Sequence, residues 1–86
     1  MKEKIMIVDD HEEIREVIQV LLSNEGYQII EAQNGKEALE LLDETIDLII
    51  LDVMMPEMNG YQVSLLVRGK NKRTNFVFNS ERTRKR

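Results

Sequence analysis

The 86 residues contain no cysteine, one histidine and one proline. Without cysteine there are no disulfides, no thiolate nucleophile, and no cysteine-ligated zinc or iron–sulfur site. A lone His11 cannot build a histidine metal site. No apolar run approaches the roughly 18 residues of a membrane span, and the sequence holds no internal repeat and no low-complexity linker. The amino terminus, Met1-Lys2-Glu3-Lys4, leads straight into Ile5-Met6-Ile7-Val8 without an apolar signal region, so a cytoplasmic location and no membrane partner are expected.

What is present is ordinary for a soluble protein, with 42% hydrophobic and 33% charged residues. A chain of this length makes one domain at most and buries about 60 to 65% of its unfolded surface. The formal charge of −4 is unevenly spread. Residues 1–67 hold four basic side chains against fifteen acidic ones, whereas residues 68–86 hold eight basic ones against Glu81 alone. The composition breaks near Arg68, which suggests a core over 1–68 and a divergent basic tail over 69–86.

Three short runs read as strands: Lys4 to Val8, aliphatic and buried-looking; Tyr27 to Ala32; and Asp47 to Asp52, aliphatic and buried-looking on both faces. Between the first two, Ile14, Val17, Ile18 and Leu21 follow helical spacing, with Asp10 and Glu13 in capping-box positions and Gly26 as the stop. Asn34 caps a second helix carrying Ala38, Leu39, Leu41 and Leu42. Tyr61 to about Arg68 forms a third, presenting Val63, Leu66 and Val67. The alternation β-α-β-α-β-α predicts an α/β fold, a doubly wound parallel sheet with right-handed crossovers. Beyond Gly69 the pattern weakens, although Asn75 to Ser80 has the composition of a fourth strand.

The first and third strands both end in carboxylates, Asp9-Asp10 and Asp52. Ligands bind open α/β sheets at the carboxyl ends of the strands. If those strands are neighbours, three carboxylates converge, repel one another, and call for a cation. All-oxygen ligands favour Mg²⁺ or Mn²⁺ over softer metals. Magnesium takes one or two carboxylates and keeps room for phosphate oxygens, so such a site invites a phosphoryl group. Taken singly, a strand-terminal aspartate is more often a cap or a turn residue, and Pro56, Gly60, His11 and Met54-Met55 read as turn, surface or packing residues.

The conjunction of Ile7-Val8-Asp9-Asp10, Gly35-Lys36-Glu37-Ala38-Leu39 and Ile50-Leu51-Asp52-Val53-Met54-Met55-Pro56-Glu57-Met58-Asn59-Gly60-Tyr61 resembles the receiver domain of two-component response regulators, over residues 1 to about 68. The resemblance implies that Asp52 accepts a phosphoryl group from a histidine kinase. It further implies that Asp9, Asp10, Asp52 and the backbone carbonyl of Met54 hold Mg²⁺. The module is then a phosphoacceptor rather than a conventional enzyme, with at most self-catalysed phosphotransfer and dephosphorylation. The implied sheet is flavodoxin-like, of order 2-1-3-4 here, without strand five and helices four and five.

A complete receiver carries a Ser or Thr after strand four and a Lys after strand five. Ser80 falls where the hydroxyl belongs and could contact the phosphoryl group; none of Lys70, Lys72 or Lys85 has the strand-end context of the lysine. The chain is thus expected to be a truncated receiver, impaired in output switching. An alternative reading takes everything from Arg68 as unrelated, frameshifted or engineered sequence. The helix-one face should lack cover beside strand three, and a sheet edge should be unprotected, which predicts self-association by edge pairing or exchange of elements. Two other functions compete. A haloacid-dehalogenase-like phosphatase would need a second aspartate where Met54 stands, and the basic residues Lys70, Lys72, Arg73, Arg82, Arg84, Lys85 and Arg86 could touch nucleic acid, although a solvated tail is the favoured reading.

Overall fold

A computed structural model describes residues 3–55 and 58–79. The elements run β1 (Lys4–Val8), α1 (Glu12–Asn24), β2 (Gln28–Ala32), α2 (Gly35–Leu41), β3 (Leu48–Asp52), α3 (Gly60–Lys70) and β4 (Asn75–Asn79). All four strands are parallel, in the order β2-β1-β3-β4. This is the order expected, and Asn75 to Asn79 is indeed a strand. It pairs with β3 residue for residue, from Leu48 beside Asn75 to Asp52 beside Asn79. The composition break at Arg68 falls inside α3, where the Arg68 guanidinium lies 4.9 Å from the centre of the Phe76 ring and donates to the Lys72 carbonyl at 2.6 Å. No described helix is long and apolar enough to cross a membrane.

Strand periodicity divides the apolar residues between two faces. Met6 and Val8 of β1 and Ile49 and Leu51 of β3 join Ala38, Val63 and Val67 in one core beneath α2 and α3. Ile5 and Ile7 point the other way and are buried, on the side of α1. Helix ends are fixed by side chains on the α2–α3 side. The Asn34 side chain accepts from the Glu37 N–H, and Asn59 and Gln62 form a reciprocal capping box that starts α3 at Gly60 rather than Tyr61. Between α3 and β4 the turn is anchored by Thr74, fully buried, whose hydroxyl donates to the Ile46 carbonyl.

Helix α1 departs from expectation twice. Its N-cap is His11, with no side-chain cap bond, instead of Asp10. The physical reason is that the Asp9 carboxylate accepts the His11 N–H at 2.8 Å while Asp10 turns towards the His11 imidazole. Its apolar stripe is also only half used: Ile14 and Ile18 are half-buried, but Val17 and Leu21 remain 59% and 62% exposed. The outer half of the stripe has nothing to pack on among the described residues. Leu66 of α3, expected on a buried face, is likewise exposed. The helix ends as predicted at Gly26, whose φ of +93° suits a residue without a Cβ.

Candidate functional site

The site forms where β1 and β3 end side by side. Val8 is the partner of Leu51 in the parallel register, so the next residues, Asp9 and Asp52, emerge together at the carboxyl edge of the sheet. Strand spacing puts their backbones about 4.8 Å apart. Both side chains are almost wholly buried, at 1% exposure. Asp10, one step further out, is partly exposed. Asp9, Asp10 and His11 form a group whose ligand atoms all lie within 4.8 Å of one another. The β1–β3 register places Asp52 beside Asp9 of that trio.

Local hydrogen bonds hold each carboxylate in place. Asp52 Oδ1 accepts the Met54 N–H at 3.0 Å, folding the chain back over the acid immediately after β3. Asp9 Oδ1 accepts the His11 N–H, and its backbone N–H donates to the Ala32 carbonyl of β2. Met54 thus lies against Asp52 through its backbone N–H, with its side chain exposed, while Met55 is buried in the core. Ser80 lies outside the described residues. The residue before it, Asn79, brings the end of β4 to the same edge, where its carbonyl accepts the Val53 N–H at 3.3 Å.

Three contributors were not singled out from the sequence as parts of the site. Arg15 donates from Nη1 to the Asp9 carbonyl at 2.7 Å and from Nε to Glu31 Oε1 at 3.0 Å, tying the β1–α1 turn to β2. Its place one helical turn after His11 was the available signal. His11, read as a surface residue, is exposed but has Nδ1 3.2 Å from Asp10 Oδ1. Gly60, read as a turn residue, starts α3 against the backbone of Asp52. A Cβ there would lie 2.7 Å from the Asp52 carbonyl oxygen and 3.1 Å from the Val53 Cα. Only glycine permits that approach.

Carboxylate oxygens from Asp9, Asp10 and Asp52 make a hard donor set, which fits a small divalent cation such as Mg²⁺ and not a thiophilic one. An acid at a strand end beside such a cation can take an electrophilic group that brings its own negative oxygens.

Residues 5–86 match the family model described as the response regulator receiver domain. The transcriptional regulatory protein CpxR of Escherichia coli (strain K12) is 51% identical over 57 residues, which are 66% of this chain and 25% of CpxR. The chain thus spans about a quarter of that relative's length. The structure of the response regulator TrrA from Thermotoga maritima in complex with Mg²⁺–BeF superposes with a TM-score of 0.83 at 36% identity, covering 95% of this chain and 74% of TrrA. A complex of the histidine kinase ThkA with TrrA matches at 0.78 and 32%, over 92% of this chain and 87% of the matched one. Receiver domains are signalling modules that bind Mg²⁺ at an acidic phosphorylation site, and neither the phosphatase nor the nucleic-acid reading finds support. The chain belongs to the receiver domain family of two-component response regulators.

Proposed function

We propose that Asp52 is the phosphoacceptor of this receiver, with a histidine kinase as donor and Mg²⁺ held by Asp9, Asp10, Asp52 and the Met54 carbonyl. The observation that carries the reading is the β1–β3 register, which delivers the buried Asp9 and Asp52 together at the carboxyl edge of the sheet. A carboxylate oxygen of Asp52 attacks phosphorus, a P–O bond forms, and the P–N bond to the donor imidazole breaks, its electron pair returning to the ring. The transition state is loose and rich in charge, so the protein contributes position and charge neutralisation more than covalent help. Bound Mg²⁺ supplies positive charge to the phosphoryl oxygens. The Met54 N–H fixes the rotamer of Asp52, and Arg15, through the Asp9 carbonyl, fixes the turn that carries Asp9 and Asp10. Beryllium fluoride, bound with Mg²⁺ in the TrrA structure, is a stand-in for a phosphoryl group, and the ThkA complex pairs that regulator with a kinase. A cytoplasmic setting, where kinase and Mg²⁺ meet, suits the reading.

Acetyl phosphate with Mg²⁺ should add one phosphoryl group by intact mass, and the adduct should disappear in Asp52→Ala and after chelation. An equal adduct in Asp52→Ala, or none in the wild type, overturns the assignment. Asp10→Asn should weaken Mg²⁺ binding, measured by titration calorimetry.

A further inference from the structure

We infer that Glu31 is a positioning residue for the divalent cation: it holds Arg15 in the pose that fixes the Asp9 backbone, and so sets how tightly the acidic edge binds Mg²⁺. The inference rests on the Mg²⁺ reading above and carries it to a residue outside the donor set of Asp9, Asp10, Asp52 and Met54.

The β1–β2 register pairs Ile7 with Glu31 and Val8 with Ala32. Paired residues of neighbouring strands share a face, so Glu31 stands on the α1 side of the sheet beside the buried Ile7. There its Oε1 accepts the Arg15 Nε–H at 3.0 Å, while Arg15 Nη1 donates to the Asp9 carbonyl at 2.7 Å. The next residue of β2 completes the hold, because the Ala32 carbonyl accepts the Asp9 N–H at 3.1 Å. Both backbone polar groups of Asp9 are thus tied to the end of β2, one directly and one through Arg15. A guanidinium presents its donors in a rigid plane, so the acceptor that captures Nε also orients Nη1. The Arg15 side chain is only 13% exposed, against 40% for Glu31. Little water is at hand to replace a lost partner, and the exposed Glu12, one turn earlier on α1, stands as a rival acceptor.

Position matters at Asp9 because its carboxylate follows its backbone: the side chain is buried and its Oδ1 accepts the His11 N–H within the same turn. Mg²⁺ demands near-ideal octahedral geometry, and groups that orient metal ligands from behind typically govern affinity by about 10- to 100-fold. Charge alone predicts the opposite sign at Arg15, since deleting a cation beside an acidic turn should tighten a divalent ion. A partly exposed ion pair contributes little to stability, so positioning and folding can be read apart.

The test is Mg²⁺ titration calorimetry, with thermal melting in chelator, on variants of the full 86-residue chain. Arg15→Met should weaken Mg²⁺ binding about tenfold, and Glu31→Ala should weaken it with the cation-free melting temperature close to that of the wild type. Glu31→Gln, which keeps an acceptor for Nε, should retain most of the affinity. Arg15→Lys, which keeps the charge without the planar fork, should not. Tighter binding in Arg15→Met, equal losses in Glu31→Ala and Glu31→Gln, or a loss in Glu31→Ala matched by a fall in cation-free melting overturns the proposal. Asp10→Asn in the same series separates the two readings. If it weakens Mg²⁺ binding and Glu31→Ala does not, the positioning role fails and the Mg²⁺ site stands; a wild type that takes up no Mg²⁺ removes both.

Discussion

The sheet's two faces are packed very differently. Beneath α2 and α3, Met6, Ile49, Leu51, Val63 and Val67 lose all contact with water. Across the sheet, α1 has no fully buried residue, and it leaves Val17 and Leu21 exposed although its apolar spacing is the most regular in the chain. Burial therefore does not follow from pattern strength. A stripe marks what a helix can bury, and its position over the strands decides how much of that capacity is used.

The contrast is sharpest in the core. Ile49→Ala should cost about 2–5 kcal/mol by urea denaturation, from lost burial and a residual cavity. Leu21→Ala should change stability by no more than about 0.5 kcal/mol. A similar cost for the two would abolish the distinction. Next in size, Gly60→Ala should cost about 1–3 kcal/mol, because its Cβ meets backbone at Asp52 and Val53 that cannot yield as a side chain would. The same variant should lower Mg²⁺ affinity in calorimetry. Asn59→Ala, which removes the cap of α3, should cost about 1 kcal/mol, whereas His11→Ala at the uncapped start of α1 should cost less.

The smallest effect concerns the turn that leads from α2 to β3. The Asp43 carboxyl is held below its ordinary value of 3.8, first by the Thr45 hydroxyl, then by the Thr45 N–H, with a smaller contribution from Lys4. A folded-state value lowered in this way favours the ionised form in the native chain. Its stabilisation is present above 3.8 and is lost as pH falls through the depressed value. The gap in melting temperature between wild type and Asp43→Asn should therefore be seen at neutral pH and close below 3.8. Full exposure of the group keeps the gap small.

Much of this was legible beforehand. The runs ending at Val8 and Asp52 announced strands because four or five aliphatics bounded by polar residues have few other uses, and the family resemblance supplied their order. Asn34 worked as a cap in the structure as it did on paper. Asp10 did not, because the Asp9 carboxylate sets the turn by accepting the His11 N–H, the helix starts one residue later, and the Asp10 carboxylate faces the His11 imidazole. The role of Gly60 was hidden for another reason. A close approach between residues eight positions apart is a tertiary fact, and a glycine after an asparagine looks locally like any turn. Arg15 was hidden by charge, since a cation on an amphipathic helix reads as solvated until its partners, the Asp9 carbonyl and Glu31, arrive from other elements.

The β1–β3 register has a thermodynamic corollary. Asp9 and Asp52 are separated by 43 positions along the chain and meet only after β1 and β3 have zipped together. An unfolded chain holds no comparable cluster, so a divalent ion bound at this edge is captured almost entirely by the native state. By mass action, each tenfold excess of ion over its dissociation constant then deepens the native well by about 1.4 kcal/mol. For a domain this small that is a sizeable share of its total stability. Under the proposed Mg²⁺ assignment, the acidic edge would tie the equilibrium stability of the fold to the concentration of free cation.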